Sequence, residues 1–407
     1  MATAKEKRPK RIVIEAVKPE IDGGRFPAKR AVGEEVIVEA DAFLEGADSL
    51  DAELLYRHES EKRWTQAPMK PLVNDRFRGT FTVTRLGRYL YTLRARPAPV
   101  ESRRKFVQKK LEAGQDISLE LPTGVSLVRQ CAARAKGEGR SVLEELVEWI
   151  TSAPLSVEEK TERILDPAVA QLLAGYPDRD TVAKYRKRLE IAVDPVRARF
   201  SAWYEMFPRS YGTFRDCEAH LEYVAEMGFD VVYLPPIHPI GQTKRKGKNN
   251  ALVCTPADPG SPWAIGDRTG GHKAVHPELG TLQDFRRLVQ RARALGIDVA
   301  LDIAFQCSPD HPWVEQHPDW FIQRSDGSIR FAENPPKRYE DIYPVDFESD
   351  DWQALWAELE IVFEFWIEQG VRIFRVDNPH NKPFTFWERT IGNLKQRHPD
   401  LIFLAEA

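Results

Sequence analysis

Four charged residues stand near the ends of apolar runs. Asp302 lies in "IDVALDIAF", Arg375 and Asp377 close "VRIFRVD", and Glu406 closes "LIFLAEA". Where parallel strands alternate with helices in a barrel, the catalytic groups gather at the carboxyl ends of the strands, so acids there are candidates for chemistry. Two carboxylates on neighbouring strand tips suit retaining glycoside chemistry, one as nucleophile and one as acid then base, with a separation of about 5–5.5 Å. Adjacent strands lie about 4.8 Å apart, which puts that separation within reach. Strand pattern alone leaves a second reading open, in which Arg375 and Asp377 form a structural ion pair and Glu406 is solvated.

The elements that must position these residues are legible from residue 198 onward, where strand, loop and helix repeat. "RFSAWYEMFPRS" offers a first strand, and "DCEAHLEYVAEMG" a helix that Gly228 ends in the left-handed conformation. "FDVVYLPPI" is a second strand. Thr281 then caps a helix whose Leu282, Phe285, Leu288, Val289, Ala292 and Leu295 form one apolar stripe before Gly296. "IDVALDIAF" is the third strand, followed by a long irregular stretch at 307–348, a helix at 351–369, the strand "VRIFRVD", a helix at 383–397 and the strand "LIFLAEA". This is the pattern of an incomplete (β/α)8 TIM barrel with about five strands.

Upstream, period-two alternation from about 11 to 95, as in Val36, Val38, Ala40 and Ala42, predicts an immunoglobulin-like β-sandwich. The texture then turns helical; in "SVLEELVEWITSA" the residues Val142, Leu143, Leu146, Val147 and Ile150 share one face. "KRLEIAVDP" reads as a strand able to return to the sandwich. The expected boundaries are a sandwich at 1–123 that 187–197 can complete, a helical insertion at 124–186, and a partial barrel at 198–407 with a loop subdomain at 307–348.

With 407 residues, 42% of them hydrophobic, the chain has ample material for globular cores. A net charge of −3 gives no general attraction for nucleic acid or an anionic membrane, and no stretch reaches the roughly 18 apolar residues of a span. Cys131, Cys217, Cys254 and Cys307 form no C-x-x-C pair, and "MATAKEKRPKR" has no apolar signal region, so a reducing cytoplasm is expected. His272, His276, His311 and His317 show no metal-like spacing and read as loop and substrate-rim residues; neither a metal nor a cofactor is expected.

In these motifs the sequence resembles the α-amylase superfamily, glycoside hydrolase family 13, and within it the maltosyltransferase branch that extends α-1,4-glucans from maltose 1-phosphate. "RIFRVDNPH" resembles the segment in which Arg precedes the nucleophile Asp by two, "LIFLAEA" the segment ending in the general acid, and "GGHKAVHPELGTLQDF" the stretch leading into the third barrel helix. "ARFSAWYEMFPRS" has the form of the first strand in that branch. Gln306 and Cys307 stand where α-amylases usually carry Asn-His, and Asn378-Pro379-His380 follow the nucleophile, features of the maltosyltransferase branch that weaken a simple starch-hydrolase reading.

The resemblance implies that Asp377 attacks the anomeric carbon of maltose 1-phosphate, Glu406 protonates the departing phosphate and later deprotonates the 4-hydroxyl at the non-reducing end of a glucan, and double displacement keeps the α configuration. Arg375 is expected to keep Asp377 ionised, and the ionised Asp377 to keep Glu406 partly protonated. The resemblance further implies phosphate contacts from Asn334, Lys337 and Tyr339, and sugar contacts from Lys246, Gln306, Asp341 and Asn378, while the role of Asp302 stays open. It also implies a homodimer through the helical segment. A hydrolase or branching enzyme of the same superfamily, and a non-catalytic glucan-binding protein, are the alternatives. Because the sixth to eighth strands and the third superfamily acid have no counterpart here, the chain is expected to stop in mid-domain, to expose a sheet edge and to be inactive alone.

Overall fold

The structure, a computed structural model, describes residues 11–406 except 47 and 165, and leaves the side chain of Arg179 undescribed. The chain divides into two units between Val193 and Asp194.

In the first unit, the alternation of apolar and polar residues does what its period dictates. Glu35–Phe43 buries Val36, Val38, Ala40 and Ala42 and leaves Ile37 on the exposed side. It pairs with Val13–Lys18 and Arg76–Thr82 in one antiparallel sheet. A second sheet contains Leu50–His58, Gly87–Pro97 and Leu189–Asp194, the last running antiparallel to Gly87–Pro97 with Leu189 opposite Tyr91. Side chains from both sheets, among them Val38, Phe77, Leu54, Tyr91 and Ile191, share one core. Among the described residues five α-helices lie between Gly87–Pro97 and the returning strand. The first of them, Pro99–Glu112, starts ahead of the expected boundary at 123. Its stop-and-start residue, Pro99, suits a first helical turn, and the helix buries only Val107, so it carries almost no periodic signal. In Glu138–Ser152, Leu143 and Ile150 are buried, whereas Val142 of the expected stripe is exposed.

The second unit is built on five parallel strands: β1 (Trp203–Glu205), β2 (Val231–Leu234), β3 (Asp298–Ile303), β4 (Ile373–Val376) and β5 (Ile402–Ala405). They pair side by side in chain order. The crossovers carry α1 (Phe214–Glu226), α2 (Leu282–Ala294), α3 (Trp352–Glu368) and α4 (Phe384–Arg397). One face of the sheet, with Val232, Leu234, Val299, Leu301, Phe374 and Val376, packs against helix residues such as Phe285, Leu288, Leu359, Trp366 and Phe386. The other face carries Val231, Ala300 and Ile373 with Trp203, Tyr233 and Ile402 around them. Apolar groups on both faces explain why these strands read as continuous runs instead of alternating ones. On the far side of β5 no strand pairs among the described residues, and Leu404 is 45% exposed. No helix among the described residues is long and apolar enough to cross a membrane.

The helices α1 and α2 of this unit begin with the same reciprocal cap. Thr281 accepts from the Asp284 N–H at 3.2 Å, and the Asp284 carboxylate accepts from the Thr281 N–H at 2.9 Å. Thr213 and Asp216 repeat the arrangement at α1. After both helices a glycine turns left-handed, Gly228 at φ +82° and Gly296 at φ +77°, which sends the chain straight into β2 and β3. Thr281→Ala removes a hydroxyl that meets an otherwise orphaned helix N–H. It is expected to cost about 1 kcal/mol, read as a lower denaturant midpoint.

The stretch after β3 is less irregular than its composition suggests. Gln306–Cys307 pairs with Tyr343–Pro344, and Ala332–Asn334 with Lys337–Tyr339, the latter as a short hairpin. Strands of two or three residues are too short to leave a period in sequence.

Candidate active site

Register brings the strand-tip residues together. Asp302 of β3 is paired with Arg375 of β4, and Arg375 with Leu404 of β5. The ladder then runs past the strands: the Asp377 N–H donates to the Ile303 carbonyl at 2.8 Å, and the Glu406 N–H to the Val376 carbonyl at 3.1 Å. Side chains two apart on a strand share a face, so Arg375 and Asp377 stand on the same side of the sheet as Leu404 and Glu406. Asp377 and Glu406 are therefore neighbours across β4 and β5.

Arg375 joins the acids. One guanidinium nitrogen bonds Asp302 Oδ2 at 2.6 Å and Asp377 Oδ1 at 2.9 Å, and the other bonds Glu406 Oε1 at 2.8 Å. Asn378 completes the set because its backbone is left-handed, at φ +43° and ψ +55°. Its side-chain amide donates to Asp377 Oδ2 and its backbone N–H to Glu406 Oε2, each at 3.0 Å. All four oxygens of the pair thus meet a donor. Behind them the Tyr233 hydroxyl donates to Asp302 Oδ2, and the Tyr233 ring lies 5.8 Å from the guanidinium carbon of Arg375.

The electrostatics reverse the expected protonation order. Burial raises the pKa of Asp377, with the contact to Glu406 adding to it and the Asn378 amide opposing it. The Asn378 backbone N–H lowers that of Glu406, aided by Asp377 and Arg375 and opposed by weak burial. In the open site Glu406 therefore holds the charge more readily than Asp377. The expectation weighed the Arg375 charge, which both acids share, and missed the Asn378 backbone N–H that bonds Glu406 and the burial of Asp377. Asp302, wholly enclosed, is pushed up to about 7 by burial against the pull of Tyr233 and Arg375, and its Oδ1 has no partner.

The other residues expected at the site lie on the loops leaving the same end of β2 and β3. Lys246 is buried, with Nζ donating to the Arg338 carbonyl at 3.4 Å. Asp341 is buried too; burial raises its carboxyl pKa, the Lys246 charge opposes, and its Oδ1 is unpartnered. Gln306 donates through Nε2 to the Trp263 carbonyl at 3.2 Å. Tyr339 packs beside Trp263, Ile240 and Ile342, while Asn334 and Lys337 face each other across the exposed end of the hairpin. No hydrogen bond joins this loop group to the Asp377 group among the described residues.

A family profile described as α-1,4-glucan:maltose-1-phosphate maltosyltransferase, domain N/S, matches residues 10–195, and the α-amylase catalytic domain matches residues 201–382. The α-1,4-glucan:maltose-1-phosphate maltosyltransferase of Chlorobaculum tepidum is 53% identical over 98% of this chain and 60% of its own length. A protein of the same name from Cereibacter sphaeroides is 48% identical over 98% of this chain and 68% of its own length. This chain belongs to that maltosyltransferase family. It spans 60% of the length of the Chlorobaculum relative. A solved α-amylase from Lactobacillus plantarum aligns at 31% identity over 52% of this chain and 46% of its own, with a TM-score of 0.44. In this chain a partial TIM-barrel-like domain follows an N-terminal β domain.

The histidines of this chain depart from the rim role expected of them. His272 and His311 are buried. The Trp313 N–H donates to His311 Nδ1 at 3.0 Å, His311 and His272 bond through Nε2 and Nδ1 at 3.0 Å, and His272 Nε2 bonds the Ala304 carbonyl at 2.9 Å. Only one assignment satisfies that chain: both rings are neutral, with Nε2–H donating in each. Burial keeps them so, holding His311 down to about 3 and His272 well below the ordinary range. Cys307 puts its sulfur within 4.8 Å of these rings. Yet every ring nitrogen is already bonded and burial pushes the thiol up, so the group is a closed polar core and not a prepared metal site. His276 accepts from the Glu278 N–H at the start of a short turn, and His317 stacks on Trp320 at 3.9 Å.

Two members of the site escaped sequence reasoning. Tyr233 sits at an inward position of "FDVVYLPPI", and the period-two rule applied to that run would have found it. Lys382, buried beside the Asp377 turn, stands in a loop whose sequence gives no burial signal.

Proposed function

We propose that the protein transfers maltosyl units from α-maltose 1-phosphate to the non-reducing end of α-1,4-glucans and releases phosphate. The observation that carries this reading is the pair of carboxyls placed side by side on adjacent parallel strands and clamped by one guanidinium, in a chain of the maltosyltransferase family. Asp377 acts as nucleophile and Glu406 as acid then base. The resting protonation order favours the reverse assignment, and the bound sugar corrects it. A maltosyl ring packed against Glu406 desolvates its carboxyl, which raises its pKa. Asp377 keeps its two donors, Arg375 and Asn378, and takes the negative charge that attack requires.

The loop residues divide the substrate between them in this reading. Asn334, Lys337 and Tyr339 bind the phosphate as neutral and cationic donors, and Lys246, Gln306, Asp341 and Asn378 hold the sugar. The N-terminal sheets form an immunoglobulin-like sandwich, the five strands belong to a (β/α)8 barrel, and the helical segment pairs with a second copy in the cytoplasm. The test is to incubate the native-length protein with α-maltose 1-phosphate and a maltooligosaccharide. Phosphate release matched by growth in steps of two glucose units, and reversed by added phosphate, is expected. Release of free sugars from starch without any need for phosphate would overturn the reading in favour of a hydrolase.

A further inference from the structure

We propose that Lys382 is a positioning residue for the reaction: its ammonium closes the turn after Asp377 and holds Asn378 in the conformation that lets it serve both carboxyls. The proposal rests on the site assigned above. Lys382 is 8% exposed. Its Nζ donates to the Asn381 side-chain carbonyl at 2.8 Å, the Asn378 backbone carbonyl at 2.9 Å and the Asp377 backbone carbonyl at 3.3 Å. An ammonium has three N–H groups, and all three are spent on this one turn. Among the described residues no carboxylate pairs with it directly, which is unusual for a buried lysine. It is spent on backbone.

The turn needs such a clamp. Asn378 is left-handed at φ +43°, a conformation that asparagine tolerates but does not hold without support from its surroundings. From that conformation its N–H reaches Glu406 and its side-chain amide reaches Asp377. Relaxed to an extended backbone, it would aim these two groups in other directions. Lys382 fixes the carbonyls on either side of the residue, so it sets the aim without touching either carboxyl.

The charges facing the ammonium are Asp377 on its own turn, Asp302 on β3 and Glu406 after β5, and Arg375 is bonded to all three. Burial lowers the Lys382 pKa to about 8, against the pull of those carboxylates. Once deprotonated, the amine keeps two N–H groups for three acceptors. Asp302, near 7, leaves its own mark at lower pH.

The experiment compares the native-length protein with Lys382→Met, similar in shape and uncharged, using amide hydrogen exchange at Asn378 and steady-state rates with α-maltose 1-phosphate and maltooligosaccharide. Lys382→Met is expected to speed Asn378 exchange at least tenfold and to lower kcat on the order of 10²-fold with KM little changed, as misplacement by about 1 Å does. Lys382→Arg, which keeps a charged donor, recovers part of both. An Asn378 amide as protected in Lys382→Met as in the native protein overturns the proposal, whatever the rates. If the native protein releases no phosphate but the exchange pattern holds, the positioning role stands and the functional reading falls. Should Lys382→Met fail to fold, the native protein carries the test: kcat is expected to fall as pH rises through about 8. A kcat that stays level to about pH 10, near the ordinary lysine value, overturns the proposal.

Discussion

Asp377→Asn is expected to reduce phosphate release from α-maltose 1-phosphate by at least about 10⁴-fold, as loss of a covalent nucleophile does. The substitution keeps the shape of the side chain and removes the charge. One oxygen still accepts from Arg375 or from Asn378, but the new amide group faces a second donor, since the carboxylate now accepts from both at 2.9 and 3.0 Å. That mismatch costs stability on the order of 1–3 kcal/mol, small beside a barrier increase of more than about 5 kcal/mol. Glucan affinity should change little, because the charge is needed at the anomeric carbon and not along the acceptor. The decisive measurement is mass spectrometry after exposure to a maltosyl fluoride carrying fluorine at C2, which slows release of the covalent intermediate. The native-length protein should gain one maltosyl unit on the peptide containing Asp377, and Asp377→Asn none. A variant that keeps a hundredth of the native rate would remove Asp377 from the nucleophile's role.

The reason Asp377 could be singled out from sequence is the same reason it is well placed. β4 and β5 carry apolar residues on both faces, so they read as apolar runs and the polar residues near their carboxyl ends mark the strand tips. Arg375, Asp377 and Glu406 stand at those tips, and parallel register then fixes which of them are neighbours. The capped helices were legible for a related reason. Thr281 with Asp284, and Gly296 after the last turn, are local signals that need no knowledge of the fold.

What sequence could not supply depends on contacts between distant segments. Glu406 and Asp377 are chemically similar carboxyls, and which one holds the proton depends on the Asn378 backbone N–H that bonds Glu406 and on the burial of Asp377. His272 and His311 are 39 residues apart, and nothing in their spacing announces a hydrogen bond between them in a dry core. Helical composition is legible from about residue 100, but the expected boundary falls at 123, because Pro99–Glu112 buries one residue and writes no stripe. Lys382 escaped because a lysine in a polar loop ordinarily points at water.

Glu406→Gln is expected to lower maltosyl transfer to glucan by about 10²–10⁴-fold, the usual worth of a general acid–base group. The two halves of the reaction should suffer unequally. Phosphate is a good leaving group whose departure needs little help from an acid, so formation of the maltosyl-enzyme should survive better than its breakdown. Breakdown requires the 4-hydroxyl of the acceptor to lose a proton as it attacks, and glutamine cannot accept one. The intermediate should therefore accumulate, visible as a burst of phosphate followed by slow turnover. Glutamine also preserves much of the local bonding, since its oxygen can still accept from the Asn378 N–H that holds Glu406 Oε2 at 3.0 Å. Azide gives the clean discrimination, because it attacks as an anion and needs no base. Added azide should restore turnover in Glu406→Gln and yield α-maltosyl azide, the same anomeric configuration as the donor, while leaving Asp377→Asn inactive. A β-azide would mean direct displacement on the donor and no covalent intermediate. Failure of azide to help, with phosphate release as slow as in Asp377→Asn, would place the acid–base function on another residue and leave Glu406 as a partner of Arg375 alone.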